Sequence, residues 1–222
     1  MSAIRRPLPL FSVTRQKARS AACSIGRYPF NSQRDTLSFL KWQKLMAIEQ
    51  FRQFAAYNRW ANARLYAAAL DLSEQAYRLH IGVFFGSLHG TLNHLLLTDR
   101  LWLKRLTGEG EHPNQLNAII YENRAELTRA RMAEDNRLIA VINRYDDAAL
   151  AALLSYKTTS GMPHSQVLSN ILMHLFNHQT HHRGQAHSCL SILTGAAPPV
   201  LDLLAFQRGG AAPDLEALIA KQ

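Results

Sequence analysis

The chain has 222 residues, 47% of them hydrophobic and 18% charged. That is enough apolar material for the core of one ordinary domain and too much for a globally disordered chain. Its 2 cysteines, Cys23 and Cys189, exclude a disulfide scaffold and a zinc site built on four thiolates. The formal net charge is +9, but residues 1–45 hold nine Lys and Arg against the single acid Asp35. The remainder is close to neutral and has no basic stripe of the kind that tracks phosphates, so its folded part is not expected to bind nucleic acid.

Residues 1–45 are rich in Arg and Ser and broken by Pro7, Pro9, Gly26 and Pro29. They are expected to be a disordered extension, from a spurious upstream start or a transit-like segment; a basic arm for nucleic acid or membrane is the third reading. A domain pattern opens at Met46 and is expected to fill 46–222. The Arg-rich start has no continuous apolar stretch, and no segment is apolar enough to span a membrane: the run from Leu79 up to Asp99 is sprinkled with Gly, Ser, Asn, Thr and His. A cytoplasmic location is the expectation, with organelle import if the extension is a genuine transit segment.

Helical periodicity dominates from Ala47. Phe51, Phe54, Ala55, Asn58, Trp60, Ala61, Leu65, Ala68 and Ala69 recur at three- and four-residue spacing, which predicts a first helix to about Leu70. Ser73 reads as a fresh N-cap. A second helix is predicted from Phe84 or Phe85 to Gly108, its C-cap, then a loop over 109–115. A third spans about 122–144, with Leu127, Met132, Leu138, Ile139 and Ile142 as its buried stripe. Its many charges, Arg131, Glu134 and Asp135 among them, read as solvent-facing. Residues 153–159 suggest a short strand or irregular connection. The fourth long helix is predicted over 165–194, closed by Gly195, with short helical turns at 202–206 and 214–220. The fold class is therefore all-α, a four-helix bundle with short connecting helices, an architecture that commonly places metal sites between facing helices.

All ten histidines lie between residues 80 and 187, and five crowd into one window: His174, His178, His181, His182 and His187. His178 and His182 are one turn apart and about 40° around a helix, the separation at which two imidazoles grip one metal ion. His174/His178 share that spacing and His178/His181 stand at i,i+3, so spacing alone does not choose among them. A third ligand must come from another helix, and His94 among Leu92, Leu95 and Leu96 is the best candidate. His89 lies about 140° around from it. His80 and His112 read as boundary or loop residues.

Residues 178–182 have the H-x-x-x-H frame of a zinc protease, but Gln179 stands where its glutamate base belongs and cannot accept a proton at neutral pH. No acid occurs between Asp147 and Asp202. A di-iron bundle lacks its Glu-x-x-His motifs. A serine hydrolase lacks its G-x-S-x-G elbow. Trp60, Trp102 and Cys189 read as core.

At these residues the chain resembles the DinB family (DinB/YfiT-like metal-dependent proteins). The likeness covers about residues 46–208. It is carried by Tyr57–Asn62 (YNRWAN), Phe84–Leu96 (FFGSLHGTLNHLL), Asp99–Trp102 (DRLW), Asn177–Gln185 (NHQTHHRGQ) and Asp202–Leu204. The resemblance implies a four-helix bundle with a connection that is not simply up-down, often a homodimer. It also implies one divalent ion held by His94, His178 and His182, with His181, Arg183 and Asn93 as supporting candidates. Imidazole ligands suit zinc, nickel and iron alike. Three histidines leave positions open, as catalytic sites do. With no carboxylate base nearby, a low-molecular-weight thiol that supplies its own nucleophile is attractive, and some members of the wider superfamily act in this way. The expected function is metal-dependent thiol S-transfer on a small-molecule substrate. Metal-dependent hydrolysis and a non-enzymatic, stress-associated metal-binding role are the alternatives.

Overall fold

The computed structural model describes residues 33–113 and 115–221, with side chains from residue 47 onward. The reading of 1–45 as disordered therefore falls mostly outside the described residues. Helix α1 spans Gln33–Leu70 and runs without a break through the position where the domain was expected to open.

Ser73 caps α2, Glu74–Arg78, by accepting a hydrogen bond from Ala76 N. Helix α3 spans Leu88–Thr107, not 84–107. The tight turn from Val83 to Gly86 and the Ser87 hydroxyl, which accepts from Gly90 N, hold Phe84 and Phe85 outside the helix. Helix α4 is Arg124–Ile142, capped by Asn123. Strands β1, Leu153–Lys157, and β2, Pro163–Val167, form an antiparallel hairpin. It takes residues 165–167 from the fourth long helix, so α5 spans Leu168–Thr194. The five-residue turn between the strands is closed by Gly161 N to Thr158 O and Thr158 N to Met162 O. Asp202 and Asp214 cap the short helices α6, Leu203–Gln207, and α7, Leu215–Ile219. Gly108 and Gly195 end α3 and α5 in the left-handed region, which glycine enters without a Cβ clash.

The long helices make a four-helix bundle in which α1 and α3 each pack against both α4 and α5. Consecutive helices α1 and α3 thus sit across a diagonal. The segment 71–87 crosses one end of the bundle to connect them, and the hairpin leads from α4 to α5. This is the non-up-down connection that the resemblance implied.

Two large apolar clusters fill most of the interior, with a smaller one around Tyr57, Trp60 and Ala61. One gathers Leu65, Leu88, Leu92, Leu96, Leu127 and Leu190; the other gathers Ile48, Leu103, Leu138, Ile142, Leu172 and Leu175. Between them lies a polar layer to which every long helix contributes. Arg131 bonds Asp99 at 2.7 Å and pairs with Asp135 at 3.0 Å. Asn58 and Asn62 donate to Asp135 at 3.2 and 3.0 Å and accept from Arg183. Gln179 donates to Asp99. Arg131 and Asp99 are each 1% exposed. The reading of these α4 charges as solvated is corrected: Arg131, Glu134 and Asp135 are buried. Two arginines face two aspartates, so the layer is neutral as a whole. Burial pushes the Asp99 carboxyl up to about 6, against the pull of Arg131.

Candidate metal centre

His94 lies on α3, and His178 and His182 on α5, at the seam between those helices beside the polar layer. One ring nitrogen from each falls within 4.8 Å of the others. Among the described residues this is the one group of three or more His, Cys, Asp or Glu side chains so gathered, and it contains no carboxylate and no thiol. The ring centroids of His178 and His182 are 4.3 Å apart, and those of His94 and His182 4.4 Å.

Hydrogen bonds fix which nitrogen faces inward. His94 Nδ1 donates to Leu116 O at 2.7 Å, because a carbonyl only accepts. Its Nε2 then carries the lone pair and is buried with no partner. An orphaned acceptor of this kind is costly unless something electropositive meets it. His182 Nδ1 donates to Gln185 Oε1 at 2.8 Å, and Gln185 Nε2 in turn reaches His181 Nε2 at 3.2 Å. Such outer bonds orient metal-binding imidazoles. The donor set and the free lone pairs fit a divalent ion.

Phe85 covers the cluster. Its ring stacks on His94 at 3.9 Å between centroids and meets His182 edge-on at 5.5 Å. This depends on Gly90, where a Cβ would come within 2.1 Å of Phe85 O. The glycine lets the chain before α3 lie directly on the helix's first turn, which sets the aromatic ring over His94.

Asn93 does not touch the cluster; it holds the loop that does. Its Oδ1 accepts from Ile120 N and Tyr121 N, both at 2.9 Å, and its amide donates to Tyr121 O and His89 O. The same loop presents Leu116 O to His94. We expect Asn93→Leu to lower metal affinity about 10–100-fold, the usual loss when an outer partner is removed, while the bundle stays folded. Unchanged affinity in a chelator competition would contradict this role.

The other candidates separate cleanly. His181 is exposed at the rim and linked to His182 only through Gln185 and a ring contact. Arg183 faces the opposite way, buried against Asn58, Asn62 and the Tyr57 ring, and bonds none of the three histidines. Gln179 likewise points into the polar layer and not at the cluster, so the protease frame is empty of a base for a geometric reason as well as a chemical one. His89 is buried on another side of α3, bonded to Tyr121 O and packed on Tyr77. His174 turns its ring toward Trp102. Cys189 and Trp60 are core, as expected, whereas Trp102 is only half-buried, packed on the edge of the second apolar cluster. The supporting residues that sequence reasoning missed are Phe85, Gly90 and the carbonyl of Leu116. The first two stood in the FFGSLHG stretch, but nothing in its periodicity tells that the chain folds back there.

Burial lowers His94 from 6.5 to about 4 and His178 from 6.5 to about 3, the neighbouring imidazoles adding to the effect. His182 is lowered too, chiefly by burial. All three are neutral at pH 7 and ready to bind a cation. Since the folded pKa values lie below the unfolded ones, the unfolded chain binds more protons at His94 and His178 as pH falls below 6.5. Their contribution to stability falls by up to about 1.4 kcal/mol per pH unit for each residue. Asp99, held up at about 6 from 3.8, has the opposite sign between those values, so the melting temperature mixes the two. Imidazole resonances of the metal-free protein separate them: His94 and His178 are expected to titrate well below pH 6. Midpoints near 6.5 would contradict the buried, neutral cluster.

A family model described as the DinB family matches residues 43–215. Protein DinB of Bacillus subtilis (strain 168) is 26% identical over 151 residues, covering 64% of this chain and 86% of that protein. The chain belongs to the DinB family.

Proposed function

We propose that this DinB-family chain is a metal-dependent enzyme that holds one divalent ion with His94, His178 and His182 and joins a small thiol to an electrophilic substrate. The observation that carries the metal reading is the buried Nε2 of His94, which has no partner and lies beside the other two imidazoles. A divalent ion bound there supplies a Lewis acid that favours the deprotonated form of a thiol or water lying against it. The chain's own part is to keep three neutral nitrogens convergent, through Leu116 O on His94 and Gln185 on His182, and to shut water from one side with Phe85. Since the cluster holds no carboxylate, the proton leaving a nucleophile has no built-in base to go to. This favours a substrate that ionises readily, and a thiol does so far more easily than water.

The test uses the full chain loaded with zinc, nickel or iron and the same protein stripped by chelation. Each is given a small thiol and an electrophilic alkene, and the S-conjugate is counted by mass spectrometry. Conjugation is expected from the loaded protein and not from the stripped protein or from His182→Ala. Equal rates in all three would overturn the thiol-transfer reading. Metal-dependent ester cleavage without thiol would assign hydrolysis instead, and a loaded protein inert to both would assign a structural metal. No helix among the described residues is long and apolar enough to cross a membrane.

A further inference from the structure

A cavity of about 440 Å³ lies beside the hairpin at the C-terminal end of α3. Lys104, Arg105, His112 and Lys157 line it together with the hydroxyl-bearing turn at Thr158 and Thr159, and no Asp or Glu lines it. Its size is in the range of small-molecule sites.

The cations there are unpaired. Among the described residues, no Asp or Glu forms an ion pair with Lys104, Arg105 or Lys157. Arg105 is held in place by two rings, its guanidinium lying 4.5 Å from the Trp102 centroid and 4.8 Å from that of Tyr156. Its Nε is buried with no hydrogen-bond partner. Tyr156 is itself fixed, donating to Gln166 across the hairpin at 2.6 Å. Cations in the last turn of a helix suit its dipole, which accounts for Lys104 and Arg105 as surface residues. It does not account for Lys157, which the hairpin brings to the same cavity, nor for the buried Arg105 Nε that has no hydrogen-bond partner.

We propose that this cavity binds the anionic group, carboxylate or phosphate, of a small molecule. Guanidinium and ammonium groups around a space free of acids attract such a group and give it charge-assisted hydrogen bonds. The cavity stands close to the histidine cluster: His174 lies between, its ring 5.8 Å from that of His178 and 5.2 Å from that of Trp102. The inference does not need the thiol chemistry or the metal, since the anion site is defined by other residues.

The experiment is a titration of the isotope-labelled full chain with inorganic phosphate and, separately, with malonate, followed by amide resonances. Saturable shifts are expected around residues 104–108 and 155–161 with either anion. The double variant Lys104→Ala/Lys157→Ala, whose positions are at the surface and whose spectrum reports that it is folded, is expected to bind at least tenfold more weakly. The stronger of the two probes identifies the anionic group preferred. Unchanged affinity in the variant, shifts confined to the histidine cluster or to the basic first 45 residues, or no saturable shift with either probe would overturn the proposal.

Discussion

Replacing His178 by Ala is expected to lower the affinity for a divalent ion by more than about 100-fold, beyond the roughly 10–100-fold that an outer partner costs. The His178 ring lies 4.3 Å from that of His182 and 5.3 Å from that of His94, and its loss leaves His94 and His182 as a pair on separate helices with no shared turn to hold them. The side chain is only half-buried, so circular dichroism of the variant should match the parent. His174→Ala is the matched control. It has the same four-residue spacing from His178, yet it faces Trp102 and stands outside the convergent group. It should keep affinity within a few-fold. Competition against a chelator of known affinity measures both, and equal losses in the two variants would break the assignment of the ligands.

Arg131→Met is expected to destabilise the protein by about 3–5 kcal/mol, the usual result of removing one partner from a buried ion pair. Arg131 is 1% exposed and is bonded to Asp99 and paired with Asp135. Without it two carboxylates share the core with one remaining cation, Arg183, and the amides of Asn62, Asn58 and Gln179. Their pKa values, already raised by burial, rise further. The folded variant then binds protons that the unfolded chain does not, and since the histidine contribution is common to both proteins, its deficit against the parent shrinks as pH falls from 7 toward 5. Urea unfolding at both pH values reads this. The double variant Arg131→Met/Asp99→Asn should recover much of the loss, because the charges that remain in the layer, Asp135 and Arg183, balance each other. A loss below about 1 kcal/mol in the single variant would contradict the buried network.

The polar layer shows what patterning does and does not reveal. Arg131 and Asp135 fall four and eight residues after Leu127, on the same stripe that buries Leu138, and Gln179 and Arg183 continue the stripe of Leu172 and Leu175. The period places them inward, while their charge argues for solvent. The signal that settles it is collective, since Asn58/Asn62, Arg131/Asp135 and Gln179/Arg183 are each an i,i+4 polar pair on an otherwise apolar face. Three such pairs and Asp99 satisfy one another only when the four helices are brought together.

The histidine cluster was legible for the opposite reason. Its α5 half is a local pattern fixed by helical geometry, and His94 is an imidazole with no solvent-facing excuse on a leucine-rich stripe. Spacing could not separate His174, His178, His181 and His182, because a helix offers several pairs at three or four residues; the packing of α5 against α3 decides which face the seam. The hairpin was half-legible. Residues 153–159 read as a short strand or an irregular connection, and the partner strand Pro163–Val167 carries His, Ser and Gln and is exposed almost throughout. It therefore lacks the apolar alternation that marks a strand.

The central claim is that three neutral imidazoles on two helices form the seat of one divalent ion. Elemental mass spectrometry of the full chain, purified without an affinity tag, tests it most directly. About one zinc, nickel or iron per chain is predicted, absent from His94→Ala and His178→Ala preparations that remain folded. A wild-type protein that takes up no divalent metal after incubation with each of the three would contradict it.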